Sequence, residues 1–404
     1  MKDKIIQEVL YILNAFSCAG YDAYAVGGCV RDCLLGKKPD DWDICTSATP
    51  DEITEIFSGQ RLAETGLKHG TLTLVLNHKP YEITTFRTES GYSDLRHPDK
   101  VSFVKNVGED LARRDFTVNA MAYNLQKGLV DLFGGQEDLK NRIIRCVGNP
   151  YERFLEDALR IMRAIRFSAV LDFEIEENTK AAINELSASL LNIAVERINV
   201  EFTKTLLADN CCRLYEYKSA LSTVVSGIER LDKNTCIAIN KLEKDKIKRL
   251  ALFLMPIFSD IREVRQWLLK MRYDTKTINA VCDIFECKKS KIPTDIKQMR
   301  RFLSLYSFDT AKSYFEIQNA LCERDEYKKA LYLLDEVRKN KLCTSVAELK
   351  IDGQALIELG FKKGPEIGKV LNKLLDFVID EKCENKEDDL KNVAMLMRGE
   401  RKND

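Results

Sequence analysis

Asp41 and Asp43 stand two apart in the stretch Val26-Gly-Gly-Cys-Val-Arg-Asp-Cys-Leu-Leu-Gly-Lys-Lys-Pro-Asp-Asp-Trp-Asp-Ile-Cys45. On a strand over Trp42–Cys45 their side chains share one face, a few ångströms apart. Two ionised carboxylates that close repel each other, and persist where a cation, a proton or an arginine lies between them. Gly27 and Gly28 precede them at the start of a short helical pattern that stops at Gly36. Backbone N–H groups exposed at a helix start form a phosphate seat. A bare Asp-x-Asp is more often a pair of solvated loop aspartates. The glycine pair with Val30-Arg31-Asp32 turns the balance toward metal-assisted chemistry on a nucleotide.

Four further stretches carry candidate chemistry. In Tyr81-Glu-Ile-Thr-Thr-Phe-Arg87, alternation places Glu82, Thr84 and Phe86 on one strand face. Glu82 is then either a third carboxylate or a solvent-facing strand residue. In Leu111-Ala-Arg-Arg-Asp-Phe-Thr-Val-Asn-Ala-Met-Ala122, Asp115 reads as the N-cap of a helix carrying Phe116, Asn119, Ala120 and Tyr123. Arg113 and Arg114 would stand at its positive end, a poor place for cations unless phosphates are near. Surface pairing to Glu109 and Asp110 is the plainer alternative. Asp131-Leu-Phe-Gly-Gly135 reads as strand, turn and short helix that pack the sheet. Glu156-Asp-Ala-Leu-Arg-Ile-Met-Arg-Ala-Ile-Arg-Phe167 reads as one helix. Asp157 and Arg160 are neighbours on it, and Arg163 and Arg166 continue the row, each step rotated by about 60°. A charged helix face with internal ion pairs would look the same.

The elements that must position these groups divide at Pro150. Residues 1–20 form one amphipathic helix ended by Gly20. Strand-like runs follow at Tyr24–Val26, Trp42–Cys45, Thr71–Leu76, Tyr81–Phe86, Val101–Val104 and Leu129–Leu132, and Pro50 opens a helix through Phe57. Beyond Pro150 apolar residues recur at three and four almost to the end, so helices are expected throughout.

Composition narrows the classes. The 404 residues predict two to four domains. Thirteen scattered cysteines form no Cys-x-x-Cys pair, and no export signal precedes them; they read as reduced thiols in a cytoplasmic protein with no zinc site. Three histidines make a histidine-based metal site or a Ser/His/Asp triad a poor fit. No apolar run nears the roughly 20 residues of a membrane span. A net charge of zero excludes a uniformly basic nucleic-acid binder, but not a local groove. Lys241–Arg249 and the cluster Arg338, Lys339 and Lys341 are candidates, with a solvated helix face as the alternative. Neither the P-loop pattern nor a dinucleotide-binding glycine motif is present.

In order and spacing, GGCVRD at 27–32, DWD at 41–43, RRDFTVNAMA at 113–122, DLFGG at 131–135, EDALRIMRAIRF at 156–167 and VERINVEF at 195–202 resemble the class II tRNA nucleotidyltransferases. These include CCA-adding enzymes and bacterial poly(A) polymerases. The resemblance covers roughly residues 20–205. It implies an α/β nucleotidyltransferase head of the polymerase-beta-like kind over 1–148. An all-helical neck (149–212), body (213–295) and RNA-binding tail (296–404) would follow. It implies that Asp41 and Asp43 hold two Mg²⁺, and that Gly28, Arg31 and Arg114 contact the incoming nucleotide. Glu82 would be a third acid.

Asp157 and Arg160 would read the base, with Arg163 and Arg166 holding that geometry or the nucleotide. Cytosine and adenine offer an amino group beside a ring-nitrogen acceptor, which a carboxylate and a guanidinium can pair. Uracil and guanine would face Asp157 with a carbonyl, and an unpaired buried polar group costs about 1–3 kcal/mol. The expected partners are a tRNA 3′ end, CTP and ATP, with no membrane. In this family a loop after the Glu82 strand accompanies the switch from C to A addition. Here it runs in full from Thr88 to Lys100, with Tyr92, Asp94, Arg96 and His97. Full CCA addition is therefore expected over CC-only addition, and the mixed-charge segment Asp380–Asp389 argues against poly(A) synthesis. A-only addition and a non-catalytic RNA-binding relative are the remaining alternatives.

Overall fold

The computed structural model describes residues 2–91 and 100–400. Tyr92, Asp94, Arg96 and His97 lie outside the described residues. The chain divides into two compact units, Met1–Glu229 and Arg230–Asp404.

The first unit opens with α1 (Gln7–Cys18), which buries Val9, Ile12, Leu13 and Phe16 along one stripe. Gly20, at φ +82°, ends it. The Gly20 N–H donates to Ser17 O and the Tyr21 N–H to Phe16 O, a Schellman closure. There follow β1 (Ala23–Val26), α2 (Gly28–Leu34), β2 (Asp43–Thr46), α3 (Pro50–Ile56), β3 (Arg61–Gly66), β4 (Thr71–Leu76) and β5 (Lys79–Thr85). Next come β6 (Arg87–Ser90), β7 (Lys100–Phe103), α4 (Val107–Ala112), β8 (Met121–Asn124), β9 (Gly128–Asp131), α5 (Gly135–Asn141) and β10 (Ile143–Ile144). The expected helix at Pro50 starts with a capping box between Thr49 and Glu52.

The main sheet has the order β3-β4-β5-β2-β1-β8-β9. Strands β2 and β5 run parallel, with Asp43 and Glu82 as Cα partners. Strand β1 pairs antiparallel with β2 and β8. Tyr24, Val26, Cys45, Phe86, Leu111 and Ala122 pack a core against it. Burying one such aromatic contributes about 1.5–3 kcal/mol, so this cluster fixes the sheet beneath the glycine turn.

Two expectations fail here. The segment after Asp115 is not an α-helix: a single 3-10 turn, Thr117–Asn119, leads into β8. Without β8, the β1 edge would leave its ladder groups unpaired, and that tertiary demand overrides the helical spacing. Arg113 and Arg114 consequently stand at the C-terminal end of α4, where its dipole favours cations. The helix read over Glu156–Phe167 is also broken. Helix α6 (Pro150–Glu156) stops, Asp157 is extended at φ −143° and ψ 104°, and α7 (Leu159–Leu171) begins. The short strand β11 (Glu174–Ile175), α8 (Glu177–Leu186) and α9 (Val195–Leu206) follow.

The second unit is helical from Lys233–Lys241 to Glu387–Glu400. Leu356, Val370, Leu374, Ile379, Leu390 and Ala394 form a buried cluster near its end. The basic run at 241–249 is not a row of solvated charges. Lys241 pairs with Glu323, Lys246 with Asp274, and Lys248 with Glu243 and Glu316. Arg249 is buried against the carbonyls of Leu242 and Glu243. Arg338 sits in the last turn of its helix, over the Phe308 ring at 4.7 Å.

Candidate active site

The turn after β1 is built for close approach. Gly27 adopts φ +77° and ψ −128°, open only to glycine. A Cβ on it would come within 3.0 Å of Arg114 Nη1. Its own N–H donates to Met121 O, so β8 anchors the turn. Helix α2 then starts at Gly28 with no side-chain cap, and Cys29 Sγ lies 3.9 Å from the Asp43 carbonyl. The glycine turn and the aspartate strand are therefore side by side.

Asp41 and Asp43 are exposed while Trp42 and Ile44 are buried. That alternation puts both carboxylates on the open side, although Asp41 lies just ahead of the strand. Glu82, exposed on β5, joins them beside Asp43. A cleft of about 230 Å³ lies here, lined by Asp43, Glu82, Thr84, Arg87, Arg113 and Arg114. Crowding by the cleft wall pushes the Asp43 carboxyl up; Arg114 opposes this, while Glu82 and Asp41 add to it.

The arginine wall is organised by Asp110, which is fully buried. Its carboxylate accepts from Arg113 Nη2 at 2.7 Å, from Arg114 Nη2 at 3.3 Å and from the Arg87 N–H at 3.3 Å. Burial raises the Asp110 carboxyl, but Arg113 and Arg114 outweigh that and hold it below the ordinary carboxylate value. Arg114 Nε is buried with no hydrogen-bond partner among the described residues. A phosphate oxygen is the group such an orphaned cationic donor suits.

The donor set fits a hard divalent ion. It is carboxylate oxygen only, which suits magnesium, manganese or calcium better than zinc. Among the described residues no group of three or more His, Cys, Asp or Glu is gathered closely enough to hold an ion unaided. Asp41 and Asp43 would be the residues to hold such an ion, with phosphate oxygens and water completing its shell.

The second half of the site lies on α7 and α9. Asp157 does not pair with Arg160. Its carboxylate accepts from Arg197 Nη2 at 2.8 Å and Nη1 at 3.4 Å, and from the Leu159 N–H at 3.0 Å. Arg160 is buried, paired to Glu156, and donates to the carbonyls of Arg153 and Arg113 at 3.1 and 3.0 Å. Arg163 donates from Nε to Asp115 at 2.8 Å, and Arg166 pairs with Glu201.

A buried chain of bonds joins the two halves. Arg31 Nη1 donates to Asn119 Oδ1 at 2.6 Å, and Asn119 Nδ2 to Asp115 Oδ1 at 3.3 Å. Asp115 carries the chain to Arg163. Burial raises the Asp115 carboxyl, but Arg163 and Arg160 hold it down at about 2. The reading from sequence offered Asp110 as a surface partner of the two arginines, whereas it is buried, and missed Asn119, Arg197 and Glu201 as partners. Asp110 precedes the two arginines by three and four, a helical pairing signal. Arg197 and Glu201 fall inside the VERINVEF stretch.

A mixed sheet with paired carboxylates on its open side, followed by helices, is the architecture of a nucleotidyltransferase, and the chain is an enzyme of that class. Residues 23–145 match the poly A polymerase head domain family. Residues 172–217 match a probable RNA and SrmB-binding site of polymerase A, and residues 241–394 a putative second domain of tRNA nucleotidyltransferases. The CCA-adding enzyme of Lactobacillus helveticus is 38% identical over 389 residues, 93% of this chain and 94% of that one. That of Enterococcus faecalis is 35% identical, over 97% and 96%. The crystal structure of the Bacillus stearothermophilus CCA-adding enzyme in complex with CTP matches with a TM-score of 0.81 at 29% identity, covering 98% of each chain. The chain belongs to the family of the CCA-adding enzymes. Nucleotidyltransferases of this family work with a divalent metal. Among the described residues no helix is long and apolar enough to cross a membrane.

Proposed function

We propose that this chain adds C, C and A to the 3′ end of tRNA from CTP and ATP, choosing each nucleotide with protein side chains rather than a nucleic-acid template. The observation that carries this is the junction of the two halves. Arg31 beside the glycine turn is joined through Asn119 and Asp115 to Arg163 on α7. Arg160 is bonded to the carbonyl of Arg113 at the cleft. These bonds support a base held at α7 while its triphosphate is held at the cleft.

Asp41 and Asp43 would hold two Mg²⁺, whose chemistry is to lower the pKa of the primer 3′-hydroxyl and to neutralise charge on the leaving pyrophosphate. Gly28 lets the nucleotide approach the backbone, and Arg31 and Arg114 pair with its triphosphate or sugar. Glu82 is the third acid of the cleft. Asp157 accepts from the amino group of cytosine or adenine, and Arg160 donates to the neighbouring ring nitrogen. Arg163 and Arg166 fix that geometry. The bond formed joins the primer oxygen to the α-phosphorus, and pyrophosphate leaves.

We further assign a head at 1–148, a neck at 149–212, a body at 213–295 and an RNA-binding tail at 296–404. A cytoplasmic setting is supported by thirteen free thiols. The test offers purified protein three tRNAs, ending before CCA, after C and after CC, with labelled CTP or ATP. Addition of C to the first two and of a single A to the third is expected. Long A tracts would favour poly(A) synthesis, and absence of C incorporation an A-only enzyme.

A further inference from the structure

Phe167 closes the arginine row of α7 and looks, by type, like a core residue. Its ring is 7% exposed and packs edge-on against Phe116 at 5.8 Å. Three guanidinium groups surround it. Arg166 Cζ lies 4.0 Å from the ring centroid, and Arg31 and Arg163 lie 5.4 Å from it. All three are within the reach of a cation–π attraction, about 6 Å. Arg163 precedes Phe167 by one helical turn, whereas Arg31 arrives from α2.

We propose that Phe167 is a positioning residue for nucleotide binding, holding Arg31, Arg163 and Arg166 together as cations through its ring face. Three positive charges around one point repel each other. Each has a polar anchor: Asn119 and Asp32 for Arg31, Asp115 for Arg163, and Glu201 for Arg166. A further carboxylate would quiet the repulsion, but it would compete with phosphate and base for the same N–H edges. A ring acts differently. Its negative face attracts a cation without neutralising it and leaves the edge donors to other partners. Leucine would fill much of the space and attract nothing. The inference rests on the reading that these arginines serve the nucleotide.

The test replaces Phe167 in the full chain with mono-, di- and trifluorophenylalanine, which keep the ring's shape while erasing the charge on its face. KM for CTP is measured with a tRNA lacking CCA, alongside melting temperature. The expected result is a stepwise rise in KM to about tenfold at the trifluoro ring, with kcat and melting temperature little changed. Phe167→Leu should fall at the end of that series. A flat KM across the series, with KM raised in Arg31→Ala and Arg166→Ala, overturns the role of Phe167 and leaves the nucleotide site standing. Unchanged KM in those arginine variants overturns the site and this inference with it.

Discussion

Asp157 is bonded at two points to Arg197, forty residues along the chain, and not to Arg160, three residues along. The pair ties α9 to the break between α6 and α7. It fixes the plane of the carboxylate that would face the base. At the break the Asp157 N–H still donates to Arg153 O at 3.4 Å, while its side chain takes the Leu159 N–H at the start of the next helix.

Arg197→Ala should loosen base choice more than catalysis. A charged hydrogen-bonded pair is worth about 1.5–3 kcal/mol, so the ratio of kcat/KM for CTP over UTP should fall about tenfold or more. Arg197→Lys should recover only part of it, because lysine cannot make the two-point contact. Single-nucleotide incorporation into tRNA lacking CCA measures the ratio. An unchanged ratio would show that Arg197 has no part in base choice.

Asp41→Ala with Asp43→Ala should abolish transfer while leaving the fold intact, since both side chains are exposed. The loss should be about a thousandfold or greater, the equivalent of several kcal/mol of charge stabilisation. Labelled CTP and ATP incorporation reads it, with a melting curve beside it. Glu82→Gln should be milder and should raise the Mg²⁺ concentration for half-maximal rate. A double variant as active as wild type would remove the metal assignment.

Gly27→Ala should cost both stability and activity. The residue would be forced to φ +77°, and its Cβ would press Arg114 Nη1 at 3.0 Å. Backbone strain of this kind costs about 1–3 kcal/mol. A lower melting temperature and a raised KM for nucleotide are expected together, because the displaced group is Arg114. Gly20→Ala is the control: its φ is also positive, but no atom lies within 4 Å of the added Cβ, so stability alone should fall.

Asp115 predicts a pH dependence. Its folded pKa is depressed to about 2 by Arg163 and Arg160 against the cost of burial. A depressed carboxylate contributes stability that is fully present above its unfolded value, about 3.9, and is lost as pH falls toward about 2. The contribution is on the order of 2 kcal/mol. Asp115→Asn should therefore lower the melting temperature clearly at pH 7, and the gap to wild type should narrow below about pH 4. A gap that stays constant through that range would show that Asp115 is not the titrating partner of Arg163.

The sequence alone marked the candidate groups for the chemistry and the order in which they come. Asp41 and Asp43 share a side because exposure alternates with the buried Trp42 and Ile44, although only Asp43 is on the strand, and the glycine turn is legible because few other residues accept its φ. The α/β region followed by helices was legible from the change of period at Pro150. Tertiary structure decided the partners. Periodicity carries no information about residues forty or eighty-eight positions apart, so Arg197 on Asp157 and Asn119 on Arg31 were invisible, as was the register that sets Glu82 beside Asp43. The segment after Asp115 had helical spacing and became a strand, because the open edge of β1 needed hydrogen-bond partners more than the segment needed its own turn.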